Sequence, residues 1–145
     1  SVRRGRVVVR LHRENICVPY SLHDMNVIAL EADGNKLTLR TQSGMVKTTP
    51  PYCQLDGYVE FYDVQWKWSF AYLLGATGNT GTFTGEKMFL NDFISRYKQF
   101  GFSVLEETYG DHITKYNGFL LSNRQHCECV LEIYHKGDMV YVTNE

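Results

Sequence analysis

Proline is scarce in this chain, with three residues in 145 and none after Pro51. Forced backbone breaks are thus confined to the first third, and the remainder is free to run as long ladders. Long apolar runs are also missing. The longest, Phe70 to Leu74, falls far below the roughly 20 residues that a membrane-crossing helix needs. The basic start continues as arginine-interrupted valines, with no long apolar core or small-residue cleavage site of the kind a signal peptide carries. A cytoplasmic protein with no membrane partner is the expectation.

Catalytic and metal-binding patterns are equally thin. No Gly-x-Ser-x-Gly elbow or His-Glu-x-x-His helix occurs. Asp111-His112 and His23-Asp24 are adjacent pairs, but adjacency does not bring a base, its orienting partner and a nucleophile together. Glu106 and Glu107 are consecutive and point to opposite faces of a strand. The four cysteines include Cys127-x-Cys129, which on a strand lacks the Cys-x-x-Cys knuckle of structural zinc sites. With Leu131 and Ile133 these two share one face, as small core residues would, while His126 takes the other. Cys17 and Cys53 are isolated. No metal or cofactor is expected.

What the chain does have is aromatic mass. Ten Tyr and eight Phe bring the aromatic fraction to 14% against 21% charged residues, a balance that favours sheet over helix. At this length one core and one domain, 1–145, is the expectation. The net charge is −1 but uneven: Arg3, Arg4, Arg6, Arg10 and Arg13 crowd the first thirteen residues without an acid. Such a cluster can contact phosphate. Equally, Val7, Val9 and Leu11 can face a core while the arginines are solvated.

Short strands are predicted at Arg6–His12, Asn15–Val18, Asn26–Ala32, Lys36–Thr41 and Met45–Lys47, with Asp33-Gly34 as a type I′ hairpin turn. From Tyr62 to Tyr72 every even position is large and apolar, including Trp66, Trp68 and Phe70. This alternation predicts one long strand with a buried aromatic face. A helix is predicted over Glu86–Phe100, where Phe89, Phe93, Tyr97 and Phe100 share a face, with Thr84 as N-cap, Gly101 as C′ residue and an Asp92–Arg96 pair. Strands follow at Phe102–Glu107 and Lys115–Ser122. A final hairpin joins Cys127–His135 to Met139–Thr143 through Lys136-Gly137-Asp138. The fold class expected is α+β: an antiparallel, strongly curved sheet or partial barrel of about eight to ten strands, with one main helix packed on it.

Between the long strand and the helix lies Gly75-Ala76-Thr77-Gly78-Asn79-Thr80-Gly81. It resembles the glycine-rich fingerprint of short-chain dehydrogenases and nucleotide-sugar epimerases. That resemblance implies backbone N–H groups against a pyrophosphate and Glu106 as the ribose-binding acid. The chain departs from the family in having no Tyr-x-x-x-Lys pair, some sixty residues ahead of the strand, and an amphipathic strand where a central parallel one is apolar on both faces.

Trp66, Trp68, Phe70 and Tyr72 would form a stacking platform for bases or sugars if exposed beside basic groups. Burial against the helix's aromatic face is the expectation instead. The function expected is non-catalytic binding of a protein partner. Two alternatives are nucleic-acid binding through Arg3, Arg4, Arg6 and Arg10, and a nucleotide-binding enzyme using the Gly75–Gly85 loop with Thr77, Asn79, Thr80 and Thr82 in contact.

Overall fold

The computed structural model describes residues 18–75, 85–123 and 125–144. Among them run twelve strands: β1 (Tyr20–Ser21), β2 (Asn26–Asp33), β3 (Lys36–Thr41), β4 (Met45–Lys47), β5 (Gln54–Leu55), β6 (Gly57–Phe61), β7 (Phe70–Leu74), β8 (Gly85–Phe89), β9 (Gly101–Tyr109), β10 (Ile113–Ser122), β11 (Gln125–Tyr134) and β12 (Met139–Thr143). A 3-10 turn at Trp66–Trp68 precedes β7, and the helix α1 (Leu90–Arg96) follows β8. Nine strands form one antiparallel sheet in the order β12-β6-β3-β2-β9-β10-β11-β7-β8, and β1-β4-β5 form a small second sheet. The sheet is neither closed nor strongly curled, which corrects the partial barrel; β12 and β8 are its edges.

The nine strands fall into two groups. Within β12-β6-β3-β2 and within β9-β10-β11-β7-β8 the ladders are long, but β2 and β9 pair only through Asn26↔Ser103 and Val27↔Phe102. Across the core the groups meet again: Val64 bridges to His135, the Trp66 indole N–H donates to the Gly34 carbonyl at 2.9 Å, and Phe61 lies 5.2 Å from the His135 ring. The buried set, including Leu39, Phe61, Phe93, Phe102, Tyr116 and Leu131, draws on both groups.

The long strand over Tyr62–Tyr72 does not exist as such. Asp63 takes a left-handed φ of 51°, the 3-10 turn follows, and the ladder resumes only at Phe70. This irregular stretch shifts the alternation by one. Beyond it Ser69, Ala71 and Leu73 are buried, while Phe70 and Tyr72 face outward. Ser69 makes the shift possible although polar: its hydroxyl donates to the Gln65 carbonyl at 2.9 Å and accepts from the Tyr134 N–H at 3.0 Å, so its buried hydroxyl is paired as both donor and acceptor.

The helix is likewise shorter than expected. Glu86, Lys87, Met88 and Phe89 pair with Leu73, Tyr72, Ala71 and Phe70 as strand β8. Ladder pairing outweighs helix propensity there, because propensity is worth less than 1 kcal/mol per residue and a short helix is marginal alone. Leu90, Phe93 and Tyr97 are buried, but Phe89 is exposed and is itself the N-cap. Thr84 lies outside the described residues. Gly101 opens β9 instead of closing the helix, and Arg96 pairs with Glu86, not Asp92.

The terminal hairpin is also corrected. β12 pairs with β6, at the opposite edge from β7 and β8. Chain 135–138 is held instead by residues 62–64: the Lys136 N–H donates to Asp63 and that of Gly137 to Tyr62, each at 3.0 Å, and the Tyr62 N–H donates to Asp138. Gly137 is needed for close approach, since a Cβ there would sit 2.8 Å from the Tyr62 carbonyl oxygen. The first hairpin turn is shifted by one residue. Asp33 pairs with Lys36, so Gly34-Asn35 form the loop, with Gly34 at φ 58° in the position where a type II′ turn wants glycine.

Candidate binding surface

On the outer face of the β7–β8 ladder, cross-strand pairing places Phe70 opposite Phe89 and Tyr72 opposite Lys87. The two phenyl rings stack with centroids 5.5 Å apart at 25°. The Lys87 ammonium lies 4.1 Å from the Phe70 centroid and 5.5 Å from that of Tyr72. This cation–π arrangement holds the charge beside the aromatics without neutralising it. The neighbouring carboxylate, Glu86, is taken by Arg96 at 2.6 Å.

The 3-10 turn extends this aromatic shelf. Trp68 is 59% exposed and Phe89 46%, while Trp66 is partly buried and anchored through its indole N–H. Two hollows flank Phe89: one of about 380 Å³ between Phe70, Lys87, Met88 and Asp92, the other of about 330 Å³ between Trp66, Lys67, Asn91 and Asp92. A third, of about 350 Å³, lies beside Trp68 against Glu132, Tyr134 and Lys136. The expected burial of Trp68 and Phe70 against the helix is therefore overturned. The helical aromatics pack on one another instead: Phe93 stacks on Tyr97 at 4.7 Å and meets Phe100 edge-on at 5.6 Å.

Of the residues singled out from the sequence, Arg3, Arg4, Arg6, Arg10, Thr77, Asn79, Thr80 and Thr82 lie outside the described residues, and Cys17 does too. Among the described residues no three His, Cys, Asp or Glu side chains gather as a metal site. Cys53, Cys127 and Cys129 are free thiols, and Cys53 is exposed, not buried. Burial pushes the Cys129 thiol up to about 12 and raises that of Cys127, so neither is a ready nucleophile. His126 faces outward as expected, stacked on Phe119 at 5.5 Å.

Glu107 is a structural anchor. Its carboxylate accepts the Ser21 hydroxyl at 2.7 Å, the Leu22 N–H at 2.8 Å and the Tyr109 hydroxyl at 2.7 Å, tying β9 to the β1 segment. Burial raises the phenol pKa values of Tyr109, Tyr116 and Tyr141 around it. Glu106 is exposed on the opposite side, beside the irregularity where β9 and β10 change register. The buried His135 bonds the Thr114 hydroxyl through Nε2 at 2.9 Å and the Gly137 carbonyl through Nδ1 at 3.0 Å. The carbonyl can only accept, so Nδ1 donates. Both ring nitrogens are thereby committed to holding the β11–β12 connection.

Sequence reasoning missed the β7–β8 shelf because its even-position alternation assigned these aromatics to the core. One signal could have found it: Lys87 beside Phe89, in a segment able to pair as a strand. No helix among the described residues is long and apolar enough to cross a membrane. The chain matches no protein-family model, no curated protein and no solved structure with which it was compared.

Proposed function

We propose that this chain is a non-catalytic binding protein and that the outer face of β7 and β8, with Trp68, receives a protein partner. The observation that carries the reading is the exposure of Trp68 and Phe89 on either side of Phe70, which stacks on Phe89 and lines one hollow together with Trp68. Exposed tryptophan flanked by hollows is the composition of an interface anchor. A protein fits this face better than nucleic acid, because its lysines are interleaved with Glu132 and Asp92; Lys115 is itself 3.7 Å from Glu132. A phosphate track would want the basic charge without those acids.

The test is copurification from the native host, using wild type, Trp68→Ala/Phe89→Ala, and Arg40→Ala/Tyr58→Ala on the other outer face. A protein retained by wild type and by the Arg40/Tyr58 variant, but lost from the Trp68/Phe89 variant, supports the reading. Equal retention by all three overturns it.

A further inference from the structure

The face has an open edge. No described strand pairs with β8 on the side away from β7, so alternate residues of Gly85–Phe89 turn backbone N–H and C=O groups outward. Open edges are where an extended peptide adds itself as one more strand, with backbone bonds giving affinity and alternate side chains giving specificity.

The side chains along this edge carry an order of charge. Phe89 offers an apolar ring between two hollows; Lys87, two residues earlier, offers an ammonium that lies over rings and not against an acid. Asp92, the third residue of the helix and three positions beyond Phe89, lines both hollows with its carboxylate exposed. Reading from Asp92 to Lys87, the surface is negative, aromatic, positive.

A second copy of this chain is a poor occupant. Two β8 edges paired symmetrically about Lys87 would set one ammonium directly opposite the other, which is destabilising. We infer that β8 accepts an extended peptide in antiparallel pairing, with a basic residue, an apolar residue and an acidic residue at alternate positions from its N-terminus, so that the apolar side chain meets Phe89 and the acid meets Lys87. The antiparallel sense follows every other pair in this sheet. The inference rests on the β7–β8 face being the binding surface, and it adds the partner's conformation, direction and charge order.

The probe is a short synthetic peptide with lysine, phenylalanine and glutamate at alternate positions in that order, separated by threonines, titrated calorimetrically into the whole protein. Saturable binding is expected. It should weaken roughly tenfold on Lys87→Glu and recover when the peptide's glutamate is replaced by lysine. A peptide with the three residues in reverse order should bind about tenfold more weakly than the original. Amide hydrogen exchange in Gly85–Phe89 should slow on binding.

No saturable binding at millimolar peptide, an affinity unchanged by Lys87→Glu, or self-association of the wild type abolished by that substitution would each overturn the inference. The two proposals can fail separately. A native partner lost from Trp68→Ala/Phe89→Ala but held fully by Lys87→Glu would remove strand addition and leave the binding face standing.

Discussion

The two outer faces of the large sheet solve the same problem in different ways. On β12-β6-β3-β2 the polar residues neutralise one another: Arg40 bonds Glu31 at 2.6 Å and lies 4.6 Å over the Tyr58 ring, and Lys36 pairs with the nearly buried Glu60. On β7 and β8 the lysine is laid over phenylalanine and tyrosine, and tryptophan and phenylalanine stand in solvent. A face whose charges and rings satisfy each other has little to offer a partner. A face that keeps apolar area and a charge available has more to gain by being covered, at roughly 25 cal/mol per Å² of apolar surface removed from water.

The comparison depends first on the core that presents the aromatic face. Phe93 is fully buried beneath it, on a helix that lies against β2, β7, β8 and β11. Phe93→Ala should cost about 3–5 kcal/mol by chemical denaturation. A loss below about 1 kcal/mol would mean that the helix does not support the face.

The next largest effect is alkaline. The Cys129 thiol, with an ordinary value of 9.0, is pushed up to about 12 by burial. Between those values the unfolded chain has released this proton and the folded chain has not, so stability falls as pH rises. The slope contributed is about 1.4 kcal/mol per pH unit. Tyr109, Tyr116 and Tyr141 add to it above their ordinary value of 10.0. Cys129→Ala should remove the thiol's share of the slope, measured by urea melts at successive pH values from 8 upward; an unchanged slope would place the thiol in contact with water.

Smaller effects distinguish the faces. Trp68→Ala should change folding stability by about 1 kcal/mol or less, since it truncates a largely exposed side chain. Arg40→Ala should cost about the same, because an exposed ion pair contributes little. Only the first should alter partner retention. Thermal melts read alongside copurification would show whether the faces differ in function while matching in stability.

The strands were legible where turn residues bracket them. Lys36–Thr41, Met45–Lys47 and Met139–Thr143 are found with the expected bounds, because Gly34-Asn35, Ser43-Gly44 and Gly137-Asp138 fix their ends. Pairing was not legible. Nothing local says that β12 leaves β11 for β6, a choice made by backbone bonds between residues 62–64 and 135–138 that lie far apart in sequence. The aromatic face was hidden for a related reason. Alternation reports which residues share a side of a strand, but a left-handed Asp63 and one 3-10 turn exchange the inner side for the outer. Aromatic residues do not reveal the exchange, since they serve a core and an interface equally well.

Tryptophan fluorescence reaches the central contrast directly. Acrylamide quenching of the wild type should reveal a strongly accessible component of emission from Trp68, alongside a protected one from Trp66 with its indole bonded to Gly34. Trp68→Phe should remove the accessible component and leave the protected one. If Trp68→Phe left the accessible component in place, or if the wild type had none, Trp68 would be covered in the free protein and the β7–β8 face would not be the open surface on which this account rests.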